Sequence, residues 1–162
     1  MSKYILGILF FLFSTNIYAL NFSLSKILNL NQPWGSSFLN ENEIIVTEKS
    51  GNIKLINLKT KESQIINHNL DILEYGQGGL LDILFKDSKI WVSYSENRNN
   101  FKTSTSIAVG DFNDNNIIFK NIFQAEPAID SGYHFGSRLV LKGDHLYASI
   151  GERGMGMIAQ DG

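Results

Sequence analysis

Residues 42–58 read Asn42-Glu43-Ile44-Ile45-Val46-Thr47-Glu48-Lys49-Ser50-Gly51-Asn52-Ile53-Lys54-Leu55-Ile56-Asn57-Leu58, two apolar runs on either side of a polar corner that contains glycine. Each run is too short for a stable helix and is rich in β-branched side chains, so the segment predicts a hairpin of strands 43–48 and 53–58. Alternation in the second strand places Ile53, Leu55 and Asn57 on one face. The same texture continues outward. Short apolar and aromatic runs at 64–66, 80–85, 89–95, 105–112, 116–124, 138–142 and 145–150 predict strands, separated by clusters of Asn, Gly, Asp and Ser that serve as turns. Helical periodicity is close to nil.

Three of these segments align with one another: Asn42-Glu43-Ile44-Ile45-Val46-Thr47-Glu48, Ser88-Lys89-Ile90-Trp91-Val92-Ser93-Tyr94 and Asp144-His145-Leu146-Tyr147-Ala148-Ser149-Ile150. Each is a turn followed by an apolar strand that carries Thr or Ser near its end. Their starts are 46 and 56 residues apart, a spacing suited to propeller blades of about 40–50 residues with loop insertions. A β-sandwich is the competing architecture. The expectation is an all-β chain forming a partial β-propeller of about two and a half blades, whereas closed propellers need about four to eight. The terminal stretch 151–162 is a glycine-rich loop with no final strand. Residues 20–162 are therefore expected to be the N-terminal part of a longer domain, or the product of an interrupted reading frame.

Composition narrows the function classes. The chain has 162 residues with 43% apolar, 12% aromatic and 19% charged side chains, an ordinary globular balance. Lys and Arg number 14 against 16 Asp and Glu, and no basic block is present to neutralise a run of phosphates, so nucleic acid is not an expected partner. Cysteine is absent, which excludes disulfides, thiolate metal sites and cysteine nucleophiles. At the N-terminus, Lys3 precedes the apolar run 4–13, polar residues follow, and Ile17-Tyr18-Ala19 offers a small residue for cleavage. Residues 1–19 read as a signal peptide, because the run is shorter than the ~20 residues of a spanning helix. The expected product is periplasmic or secreted, with no membrane span after signal removal.

Three polar, glycine-rich clusters adjoin strands: Tyr75-Gly76-Gln77-Gly78-Gly79, Gly132-Tyr133-His134-Phe135-Gly136-Ser137-Arg138 and Gly151-Glu152-Arg153-Gly154. Glycines beside Gln77 allow positive φ and close approach of a ligand to the backbone; the alternative is a pair of tight turns. His134 is the candidate for acid–base work, since imidazole titrates near neutral pH and accepts a proton from a hydroxyl. A carboxylate must fix its tautomer, and Glu152, or secondarily Asp161, is available. Arg138 offers a planar fork for a carboxylate or carbonyl of an anionic ligand. His68 and His145 lie among polar turn residues and are expected to be solvated, and no metal-ligand spacing links the three histidines.

A family resemblance rests on five motifs in order: Pro33-Trp34-Gly35, Val46-Thr47-Glu48-Lys49-Ser50-Gly51, Gly76-Gln77-Gly78-Gly79-Leu80-Leu81-Asp82, His134-Phe135-Gly136-Ser137-Arg138-Leu139, and Gly151-Glu152-Arg153-Gly154 through Ala159-Gln160-Asp161. The chain resembles the soluble quinoprotein glucose/sorbosone dehydrogenases, particularly their periplasmic aldose sugar dehydrogenase branch. The resemblance implies a six-bladed propeller that binds pyrroloquinoline quinone (PQQ) and oxidises the C1 hydroxyl of an aldose to a lactone. It implies that His134 is the base, Glu152 its partner, and Gln77, His134 and Arg138 part of the cofactor site. Glu152 stands where the family has Asp, and Ser137 where it often has Gly. The family's calcium ligands, and most groups that grip the quinone carboxylates, come from later blades; the electron acceptor is left open. The competing classes are a non-catalytic propeller that binds carbohydrate or protein, a calcium-dependent lactonase-like propeller, and an inactive truncated product.

Overall fold

In the computed structural model, which describes residues 22–157, the chain runs through β1 (Pro33–Asn40), β2 (Glu43–Glu48), β3 (Ile53–Asn57), β4 (Ser63–His68), β5 (Leu80–Lys86), β6 (Lys89–Asn97), β7 (Thr103–Asp111), β8 (Asn116–Ile117), β9 (Lys120–Gln124), β10 (Gly136–Lys142) and β11 (His145–Ile150). The signal peptide expected at 1–19 and the candidate Asp161 lie outside the described residues. Strands β1 to β4 form one antiparallel sheet, β5, β6, β7 and β9 a second, and β10 with β11 a hairpin. These are two four-stranded blades and the opening of a third, the partial propeller expected from the repeat. The first strands of the units stand side by side, with β5 packed against both β1 and β10.

The aligned repeat segments are the second strands β2, β6 and β11, and the hydroxyl each carries has one recurrent task. In every unit the first strand slips register at the same place, between Pro33 and Ser36, Leu80 and Ile83, and Gly136 and Leu139. Such an irregularity leaves an N–H without its ladder partner. The second strand's hydroxyl accepts it: Gly35 N donates to Thr47 Oγ1 (2.9 Å), Asp82 N to Ser93 Oγ (3.1 Å), and Arg138 N to Ser149 Oγ (3.0 Å). The same hydroxyls then donate across to the next unit, Thr47 to Leu81 O (2.5 Å) and Ser93 to Ser137 O (2.7 Å). One side chain per blade thus closes the irregularity and ties the blade to its successor.

Between the first two blades lies the main core, with Ile45, Ile53, Ile66, Leu80, Ile83, Ile90, Val92 and Tyr94 buried together. At about 1.5–3 kcal/mol for each large aliphatic side chain removed from water, this layer is the main source of cohesion. The alternation expected for 53–58 is followed, with Ile53 in this cluster and Leu55 packed against it. Ile56 points to the opposite face and is buried outside that cluster.

The strand expected at 116–124 is two strands. Asn116 and Ile117 run parallel to the end of β4, in the first blade, whereas 120–124 pairs with β7 in the second. Between them Asn69 holds Phe119 at both backbone groups, accepting from its N–H (2.8 Å) and donating to its carbonyl (3.0 Å). His68 is not solvated as expected. It accepts from Leu70 N at Nδ1 (3.3 Å), so the proton resides on Nε2, which donates to Gly51 O at 2.6 Å. His145 is exposed, as anticipated.

Candidate active site

Two loops at the third unit converge on His134. The loop 131–135 enters β10, and the loop 151–154 leaves β11, so the antiparallel pairing of Gly136 with Ile150 brings them together. Their approach requires glycine at 151, where a Cβ would stand 2.0 Å from the His134 carbonyl oxygen. The loop carrying Gln77 arrives from the second blade in the same manner. A Cβ on Gly76, at φ 58°, would meet Gly132 O at 2.4 Å. The glycines flanking Gln77 therefore make room for the neighbouring 131–135 loop.

The result is a compact polar constellation. Gln77 N donates to Gly132 O (2.7 Å), and Gln77 Oε1 accepts from His134 N (2.9 Å). These bonds hold His134 at φ 47°, a left-handed conformation that a non-glycine residue adopts only under constraint. Its Nδ1 lies 2.5 Å from Glu152 Oε1, and Glu152 also accepts from Gly154 N at 3.1 Å. The hydrogen bond from His134 holds the Glu152 carboxyl below the usual carboxylate range, so Glu152 is an acceptor and the shared proton belongs to Nδ1. Nε2 is left with its lone pair. Among the described residues nothing hydrogen-bonds to it, and 52% of the side chain is exposed. The longer Glu152 chain, where the family pattern has Asp, spans the gap to the imidazole without help.

Arg138 is placed differently from the other candidates. Its side chain is 75% exposed, and Nη1 lies 3.5 Å from Oδ2 of Asp82, a carboxylate that is itself 5% exposed. Asp82 Oδ2 also accepts from Leu139 N (2.8 Å), so this acid ties β5 to β10. Asp82 and Arg153 stand in the quoted motifs, but the sequence assigns neither a role. An acid between Leu81 and Ile83 in an apolar strand was the available signal for the first. Arg153 is buried, and its guanidinium stacks 3.8 Å from the centre of the Phe135 ring. A largely apolar cavity of about 140 Å³ lies along Glu152 and Arg153, lined also by Pro127, Ile129, Ile150 and Met155. Among the described residues no group of three or more His, Asp or Glu side chains is placed to hold a metal ion, and no helix is long and apolar enough to cross a membrane.

The chain matches a known family. The glucose/sorbosone dehydrogenase profile covers residues 30–162. The chain belongs to the glucose/sorbosone dehydrogenase family. It is similar to aldose sugar dehydrogenase YliI of Escherichia coli K12, with 31% identity over 142 residues, covering 82% of this chain and 38% of that protein. The crystal structure of soluble aldose sugar dehydrogenase from E. coli in its apo form superimposes with a TM-score of 0.75 at 31% identity, covering 82% of this chain and 41% of that one. A PQQ-bound aldose sugar dehydrogenase from Streptomyces coelicolor gives 0.72 at 22% identity, over 82% and 42% of the two chains, a likeness of fold alone. The chain thus spans about two fifths of the length of these dehydrogenases.

Proposed function

We propose that this chain forms the base-bearing part of an aldose dehydrogenase that oxidises the C1 hydroxyl of a sugar to a lactone. The observation that carries the reading is the His134–Glu152 pair: an ionised carboxylate fixes the proton on Nδ1 and leaves an exposed lone pair on Nε2. Nε2 then accepts the C1 hydroxyl proton, and Glu152 stabilises the imidazolium that results. Gln77 keeps the base in place through the His134 backbone.

The family implies PQQ, a planar quinone bearing carboxylates. The residues present fit one edge of such a group, since the Arg138 guanidinium is exposed with only a 3.5 Å contact to Asp82, and the Gln77 amide nitrogen is left over once Oε1 is committed. Arg138 and Gln77 would hold it beside His134. When bound, PQQ supplies the acceptor for the hydride released from C1. Among the described residues no group of three or more His, Asp or Glu side chains is placed to hold the calcium that the family also implies. Export to the periplasm or beyond the cell belongs to the same reading and is supported by Lys3, the apolar run 4–13 and Ala19.

The test is a chimera in which residues 30–157 replace the matched segment of the E. coli relative. Aldose-dependent reduction of an artificial electron acceptor is measured alongside quinone titration. His134→Ala is expected to lower turnover by ~10²–10⁴ while quinone affinity holds. Gln77→Ala is expected to weaken quinone binding and, because it releases His134 N, turnover as well. Near-wild-type turnover in His134→Ala would refute the assignment.

A further inference from the structure

Arg153 presents an unusual balance. Its guanidinium is buried, which pushes its pKa below the ordinary arginine value, and among the described residues no carboxylate pairs with it. Burial of an unpaired charge is costly, and an apolar side chain would fill the space without that penalty. Here the compensation comes from four acceptors and a ring. Nε donates to Tyr133 O (3.0 Å), Nη1 to Thr103 O (3.0 Å), and Nη2 to Thr103 Oγ1 (2.5 Å) and to Ser131 O. The face of the fork lies on Phe135.

These contacts bracket His134 on both sides in the chain, at Ser131 and Tyr133 before it and at Phe135 after it. The backbone adds to the bracket, since Arg153 N donates to His134 O (3.3 Å) and Ser131 Oγ to Arg153 O (2.6 Å). Thr103 opens β7, so the anchor point lies in the second blade. Arg153 also directly follows Glu152. One side chain therefore fixes the loop bearing the imidazole to the loop bearing its carboxylate, and both to an existing blade.

We infer that Arg153 is the positioning residue of the dyad: its fork holds the His134 loop at hydrogen-bonding distance from Glu152, so the Nδ1-protonated form of His134 persists only while the guanidinium is in place. The inference rests on the base role proposed for His134. A single ammonium cannot replace the fork, because Lys has neither the planar spread to reach Tyr133, Thr103 and Ser131 together nor a face to lay on Phe135. Arg153→Lys is thus a disabling change at this position.

The test is NMR of the 162-residue chain. In Arg153→Lys, thermal unfolding shows that the blades remain folded, the His134 Nδ1–H resonance is lost to exchange, and the Glu152 titration midpoint rises toward the ordinary carboxylate range. Persistence of that resonance together with a low Glu152 midpoint in the folded variant would overturn the inference. Absence of an Nδ1 proton from the wild-type chain would instead overturn the base reading, so the two failures are distinguishable. If Arg153→Lys does not fold, hydrogen exchange in the wild type decides. Joint opening of Arg153 Nε–H and the His134 amide supports the coupling, whereas free exchange at His134 with Arg153 Nε–H protected contradicts it.

Discussion

Ser137 sits at φ 127°, a region that favours glycine, and its position in the family pattern is often glycine. The strain is held by the surroundings: Ser137 O accepts from Ser93, and Ser137 Oγ receives only a long bond from Trp34 Nε1 (3.4 Å). Ser137→Gly keeps the first bond and gives up the second, so it is expected to stabilise the chain by about 1 kcal/mol, measured as a rise in the denaturation midpoint. Glu48 shows the opposite situation, a buried acid that is well served. Burial alone would raise its pKa, but hydrogen bonds from Asn31 N, Lys54 and Asn52 more than offset this, and the carboxyl titrates below its usual value. Its stabilising contribution is complete above the unfolded value near ~4.3 and is lost as pH falls through the lower folded value. Glu126 and Glu152 act with the same sign. Glu48→Gln is expected to cost about 2 kcal/mol at neutral pH through the lost hydrogen bonds to its carboxylate and to flatten the acid limb of the stability profile; an unchanged acid limb would show that Glu48 is not a contributor. At this scale the sequence was legible where residue type and glycine context coincide, as at His134, Glu152 and Gln77. It was silent on Arg153, because a guanidinium destined for burial looks the same in sequence as one destined for solvent.

The hairpins were the most readable elements, since β2, β3, β6, β10 and β11 are apolar runs bounded by turn residues. The short hydroxyl signature of the repeat was visible as well, but its purpose was not. That purpose depends on the register slips at Trp34-Gly35, Leu81-Asp82 and Ser137-Arg138, which no alternation pattern marks. The break between β8 and β9 escaped for a related reason: 116–124 is uniformly strand-like, and only the clasp from Asn69 decides which blade each half joins. The hydroxyl tie makes a specific prediction. Ser93→Ala leaves Asp82 N and Ser137 O buried without partners, a loss of about 2 kcal/mol, and it removes one of the ties between the second blade and the third hairpin. Denaturant unfolding should show the loss, and hydrogen exchange should show β10 and β11 opening before the core around Ile45 and Ile83. Simultaneous loss of protection in all three units would mean that Ser93 does not hold the third hairpin to the second blade.

At the scale of the whole molecule, spacing alone was enough to indicate blades, because repeats of this length impose the same hairpin sequence on each unit. Which loops would meet was not legible, since convergence of residues 75–79, 131–138 and 151–154 is a consequence of packing one blade against the next. The blades also explain why the dyad is offered to solvent: the core lies between the sheets, while the joining loops gather at their ends. On the proposed reading, this gathering presents His134 as a base with Nε2 free. The most direct measurement is the pair of ring ¹⁵N shifts of His134 in the chain at neutral pH, where imidazole tautomers are distinguished nitrogen by nitrogen. A protonated Nδ1 beside an unprotonated Nε2 is the predicted result, whereas a proton resident on Nε2, with Nδ1 bare toward Glu152, would contradict it.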